Sequence, residues 1–194
     1  MKKLLTIAAL ALGVSAAKAQ STEFKPFRVG FDFGYAIPSG EGAKGGIIFA
    51  LEPKYAMSDK LALGLRIEGA VTARSTGTVS DEFGFSGSTS AKASGSYLAT
   101  ADYYINTNSF RPFVGLGVGV HQLASADFSF DENASDENVA VVEGGTKLGA
   151  TPRVGFDYGH FRAQVEYNMI GKTGEIKNNY LGIKLGFFLG GGRQ

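Results

Sequence analysis

The 194 residues carry 19 Lys or Arg against 18 Asp or Glu, a balance that gives no electrostatic reason to expect nucleic acid as a partner. Cysteine is absent, which excludes both a disulfide framework and a thiolate metal site. Glycine, at 28 residues, is about twice its usual ~7% share and demands a structural reason.

Lys2-Lys3, the apolar run Leu4 to Ala17 and the Ala17-Lys18-Ala19 site before Gln20 read as a secretory signal peptide over residues 1–19. The run is shorter than the ~20 apolar residues of a spanning helix, and no cysteine follows it for lipid attachment. Loss of Lys2, Lys3 and Lys18 leaves 16 basic side chains against 18 acidic ones in residues 20–194, which suit one domain. No later stretch approaches twenty apolar residues, so a helical membrane protein is excluded.

From Phe27 onward the chain alternates with period two, the mark of strands with one apolar face. The first predicted strand sets Phe27, Val29, Phe31, Phe33, Tyr35 and Ile37 against Arg28, Gly30, Asp32 and Gly34. The second sets Ile47, Phe49, Leu51 and Tyr55 against Glu52 and Lys54, and the third Leu61, Leu63, Leu65 and Ile67 against Gly64, Arg66 and Glu68. A weaker fourth sets Tyr97, Ala99, Ala101 and Tyr103 against Leu98, Thr100 and Asp102. The fifth sets Phe110, Val114, Leu116 and Val118 against Arg111, Gly115, Gly117, Gly119 and His121. The sixth and seventh are RVGFDY and FRAQVE, joined by Gly159-His160, a Gly-X pair suited to a two-residue type II′ turn. In that register Asp157 faces Arg162 and Arg153 faces Glu166. The eighth sets Leu181, Ile183, Leu185 and Phe187 against Gly182, Lys184 and Gly186.

Short connections (Ala56 to Lys60, Asn106-Thr107, Gly159-His160) alternate with long ones (Ser39 to Gly46, Thr72 to Ser96, Gln122 to Thr146, Ile170 to Asn179). A closed eight-stranded antiparallel up-and-down transmembrane β-barrel does this. The competing reading, a soluble barrel or sandwich with its apolar face inward, accounts poorly for three features. The apolar faces lack charge, and the strands have roughly the ~9–11 residues that cross a bilayer at a tilt. Glycines crowd the charged face, where a narrow lumen needs room for Arg and Glu but a water-exposed strand would favour Thr, Lys or Glu. Aromatics gather near the short turns, at Phe27, Tyr55, Tyr103, Phe110, Tyr158, Phe161 and Phe187, with a thinner set at Tyr35, Tyr97 and Tyr167. These read as the two interfacial girdles.

RPFVGLGVG at residues 111–119 resembles the RPYVGxGxG-type strand of the small eight-stranded outer-membrane barrels of OmpA, OmpX and OmpW type, including the "porin family" proteins of Bacteroidetes. Thr151 to Gly159 and Arg162 to Asn168 are similar to their penultimate hairpin. The resemblance spans residues 20–194 and implies architecture, not an active site. One departure is that Phe187-Phe188 are followed by six more residues. It implies a bacterial outer-membrane location, with the N-terminus and short turns periplasmic and the long loops extracellular. Outer-membrane lipid, lipopolysaccharide and the barrel assembly machinery are then the expected partners, and the chain is expected to be a monomer.

With the apolar face outward, the interior receives Arg28, Lys54, Arg66, Arg111, Lys147, Arg153, Arg162 and Lys184, with Asp32, Glu52, Glu68, Asp102, Asp157 and Glu166. Buried ions cost several kcal/mol each unless paired. The predicted pairs are Arg153–Glu166, Asp157–Arg162 and, from a two-residue turn at Asn106-Thr107, Asp102–Arg111. Two readings follow: a static plug of side chains, or a switchable gate in which Arg153 or Glu166 changes partner.

The third long loop repeats DEN at Asp131, Glu132, Asn133 and Asp136, Glu137, Asn138, so Asp131, Glu132, Asp136 and Glu137 are weak calcium candidates. The calcium-loop spacing D-x-D-x-D-G is absent, and a solvated acidic loop accounts for the composition. No cofactor is implied. For a lipid A-modifying enzyme the candidates are His121, with Ser125 four residues on, and His160 in a predicted turn. Neither arrangement establishes a nucleophile with its base. The sequence therefore points to a non-enzymatic outer-membrane barrel, structural or surface-exposed, with a narrow or gated porin as alternative.

Overall fold

In the computed structural model of the chain the structure describes residues 23–39, 43–76, 87–130, 139–173 and 176–192. The predicted leader, residues 1–19, lies outside them. The strands are β1 (Phe27–Pro38), β2 (Ala43–Ala56), β3 (Leu61–Thr76), β4 (Gly87–Tyr104), β5 (Phe110–Phe130), β6 (Val139–Tyr158), β7 (Phe161–Asn168), β8 (Lys172–Thr173), β9 (Ile176–Lys177) and β10 (Tyr180–Gly190). Eight of them form a closed antiparallel barrel in the order β1-β10-β7-β6-β5-β4-β3-β2, while β8 and β9 form a two-residue ladder of their own. Closure runs from Arg28 against Gly190 to Pro38 against Tyr180. No open edge is left along that seam, as hydrocarbon surroundings require of a sheet.

Alternation decides which way the strands face. Leu65 is 66% exposed and its neighbour Arg66 1%, and β7 alternates outward and buried positions through Val165, Glu166, Tyr167 and Asn168. Thirty large apolar side chains stand outward among the described residues. Each such side chain would be worth about 1.5–3 kcal/mol if removed from water, so the face fits lipid and not an aqueous shell. No helix among the described residues is long and apolar enough to cross a membrane. Both predicted aromatic sets lie on this outer face.

Two expectations about connections are corrected. Most of Thr72 to Ser96 and of Gln122 to Thr146 is strand: β3 continues to Thr76, β4 starts at Gly87, β5 reaches Phe130 and β6 starts at Val139. In residues 72–96 the apolar contrast stops in a run of Ser, Thr, Ala and Gly, while the backbone ladder does not need it. The turn after β4 is also wider than two residues. Tyr104 faces Phe113, Ile105 N donates to the Pro112 carbonyl at 2.9 Å, and Asn106 Oδ1 accepts from Asn108 N at 3.1 Å. Asn106 thus closes a side-chain turn on its own backbone, and the register moves by four residues.

Gly159, with φ of +60°, supplies the left-handed first position of the two-residue turn between β6 and β7. Pro152 has no N–H for Tyr167, and the β6–β7 ladder lapses at that point. The Ala150–Met169 bridge beyond it keeps the same register as Arg153 against Glu166.

Candidate functional site: the charged interior

The inward positions of β1 to β7 and β10 place their polar side chains in three connected groups. Nearest the long connections, Lys184 Nζ reaches Glu68 at 2.6 Å and Glu166 at 2.8 Å. Tyr180 OH donates to Glu68 at 2.8 Å, and Asn168 Nδ2 to Glu166 at 3.0 Å. Farther along, Ser96 Oγ and His121 Nδ1 lie 2.6 Å apart, both buried.

The middle group centres on Arg66 and Glu52. Arg66 donates to Glu166 at 2.5 Å and to Glu52 at 2.8 Å. Glu52 also accepts from Arg153 Nη2 at 2.9 Å and Thr100 Oγ1 at 2.7 Å. Arg153 Nε donates to Asp102 at 2.8 Å, and Lys54 Nζ bridges Asp102 and Glu52. Gln164 donates to Asp32 at 3.0 Å.

At the short-turn end, Asp157 holds the last group. Arg162 grips it with two parallel hydrogen bonds, Nε at 2.7 Å and Nη2 at 3.0 Å, the fork geometry that suits a carboxylate. Arg28 Nη1 donates to it at 2.7 Å and Tyr104 OH at 2.8 Å. Tyr104 in turn accepts from Arg162 and Arg28.

Glycine makes this packing possible. A Cβ at Gly115 would lie 2.8 Å from Arg153 Nε and overlap Asp102, and one at Gly34 would lie 2.5 Å from Lys184 Cγ. One at Gly149 would lie 2.6 Å from the His121 ring. At these positions glycine is room for long polar neighbours in a narrow section.

The sequence-predicted pairs fare differently. Asp157 and Arg162 face each other and touch. Arg153 and Glu166 face each other in register but each pairs elsewhere, Arg153 with Glu52 and Asp102, Glu166 with Arg66 and Lys184. Long side chains inside a closed section reach across it more readily than straight sideways. Asp102 and Arg111 are not brought together, because the wider Asn106 turn puts Asp102 opposite Gly115 and Arg111 opposite Asp157. Lys147 is half-buried and donates to the Lys172 carbonyl at 2.7 Å, away from the interior carboxylates.

The calcium candidates Asp131, Glu132, Asp136 and Glu137 lie outside the described residues, among which no group of metal-ligating side chains occurs. His121 finds Ser96 as its neighbour, a residue not singled out from the sequence although its inward parity marks it. Ser96 and His121 are both shut off from solvent, so the pair offers no place for a substrate. His160 sits exposed in its turn with Phe188 edge-on at 5.5 Å.

No curated protein matches the sequence. Among solved structures, Neisserial surface protein A is similar at 17% identity and a TM-score of 0.54, over 84% of this chain and 96% of that one. OprG of Pseudomonas aeruginosa is 17% identical with a TM-score of 0.49, over 89% and 100% of the two chains. Ail, the attachment invasion locus protein of Yersinia pestis, is 13% identical with a TM-score of 0.49, over 86% and 99%. A family model described as the outer membrane protein beta-barrel domain matches residues 6–192. With nearly the whole chain matched and the barrel closed, the protein belongs to the outer membrane protein beta-barrel domain family.

Proposed function

We propose that the chain is a non-enzymatic structural or surface-exposed barrel whose interior is plugged by its own ion pairs. The observation that carries this reading is the cross-section around Glu52. Arg66, Arg153 and Lys54 converge on it from three strands, and the cavity beside Arg28, Asp32 and Arg162 has a volume of about 10 Å³. Such a space is at the lower limit for one water molecule, so an ion has no hydrated path along it. In this reading the short turns face the periplasm and the long connections the exterior. Lipopolysaccharide and outer-membrane lipid surround the apolar face, and the barrel works as a monomer inserted by the assembly machinery.

Planar-bilayer recording of the refolded barrel tests the plug. The expected result is little or no steady conductance, and a large one from the wild type overturns it. A gated narrow pore is the second reading. It is favoured by the multiplicity of partners, since Arg153 and Arg162 each lie within 4 Å of both Asp102 and Glu52. Under that reading Glu166→Gln changes the opening frequency, whereas under the plug reading it leaves the barrel silent. Unaltered lipid A after coexpression is expected of a non-enzymatic barrel.

A further inference from the structure

We infer that the short-turn end of the barrel is a binding pocket for a small organic anion, a carboxylate on an apolar body, anchored by Arg111. A cavity of about 390 Å³ opens there, lined by Phe24, Arg111, Asp157, His160, Phe188 and the backbone at Gly191 and Gly192. That volume falls within the ~300–1,000 Å³ of ordinary small-molecule sites, in contrast to the space of about 10 Å³ farther inside.

Arg111 is the buried cation that the interior leaves without an ion pair, with Asp157 and Asp59 acting on it from beyond ion-pair range. Arg28, Lys54, Arg66, Arg153, Arg162 and Lys184 each lie within ion-pair distance of a carboxylate. Arg111, only 8% exposed, reaches none among the described residues. Its Nη2 donates to the Asp59 carbonyl at 2.7 Å, and its buried Nε has no partner. Asp157 lines the same cavity, but its oxygens already serve Arg28, Arg162 and Tyr104.

The guanidinium is also held in place. Its central carbon lies 3.7 Å from the Phe24 ring centroid and 4.1 Å from that of Tyr104, so the two aromatic rings hold its faces. Nη2 is taken by the Asp59 carbonyl and Nε is shut in, so Nη1 is the nitrogen left to donate to an anion, and a carboxylate oxygen accepts from it. A buried unpaired cation is costly, and an anion entering the cavity relieves that cost. The rings of Phe24 and Phe188 then suit an apolar body, which inorganic ions lack.

Fluorine NMR on the refolded full barrel in dodecyl maltoside tests this, with para-fluorobenzoate as probe and para-fluorobenzamide as its neutral counterpart. Saturable broadening of the benzoate signal and none of the amide is expected, weakening as salt is raised. Arg111→Met is expected to weaken benzoate binding by roughly tenfold or more. Gly192→Leu provides a second variant that leaves Arg111 intact. A Cβ at Gly192 meets only the His160 ring, at 3.5 Å, so the leucine side chain can enter the cavity and block the probe. Resistance of the barrel to detergent unfolding on gels verifies that each variant is folded. Absent binding to the wild type, equal binding of the amide, or unchanged binding in folded Gly192→Leu each overturns the assignment.

Discussion

Toward the long connections, every charge in the interior has more than one partner. Arg66 divides itself between Glu166 and Glu52, and Lys184 between Glu68 and Glu166. At the short-turn end a single carboxylate, Asp157, serves Arg28, Arg162 and Tyr104, and aromatic rings lie against Arg28 and Arg111. The same problem, burying guanidinium groups in a narrow section, is thus met by redundancy at one end and by dependence on one residue at the other. A redundant network tolerates loss of a member, because the orphaned group keeps a counter-charge. A dependent one does not, because breaking a buried pair costs about 3–5 kcal/mol once a partner is left uncompensated.

The same chemical change at the two ends gives the sharpest test. Asp157→Asn keeps the shape and removes the charge, leaving Arg28 with no carboxylate partner in ion-pair range; Arg162 keeps Asp102 at 3.3 Å. Urea unfolding from lipid vesicles is expected to show a loss of about 3–5 kcal/mol. Glu166→Gln is expected to cost less, about 1–2 kcal/mol. Arg66 keeps Glu52 at 2.8 Å, and Lys184 keeps Glu68 at 2.6 Å. Equal losses for the two variants would break the contrast.

How much of this could be read beforehand depends on distance along the chain. Alternation fixes which face each residue occupies, so Arg66, Glu52 and Glu166 were legible as interior residues without any knowledge of partners. The Asp157–Arg162 pair was legible too, because Gly159 in a two-residue turn dictates register over the next few positions. Asp102–Arg111 failed on one side chain: Asn106 bonds its own backbone, widens the turn and slides the register by four. Parity survives such a slide and partner identity does not. Arg66 to Glu166 spans 100 positions and crosses the barrel from β3 to β7, so it depends on the closed section as a whole. Phe24 lies before the first strand, where no periodicity exists to mark it.

Phe24 also gives the smallest expected effect and the finest distinction between the ends. It is buried against Arg111 from a segment fastened by Lys25 N donating to the Gly192 carbonyl at 2.9 Å. Such a segment outside the barrel ladder can release without opening the barrel, since local stability is lowest where few ladder bonds hold the chain. Phe24→Ala is therefore expected to change global unfolding by less than about 1 kcal/mol, below the roughly 2 kcal/mol of a desolvated cation–π contact, because the segment releases before the barrel opens. Its larger effect is local, with the Lys25 amide exchanging with solvent measurably faster than in the wild type. Unchanged exchange at Lys25 would show that Phe24 does not hold the segment down. A global loss as large as that of Asp157→Asn would instead make the ring part of the barrel's own support, and the short-turn end would then depend on two residues.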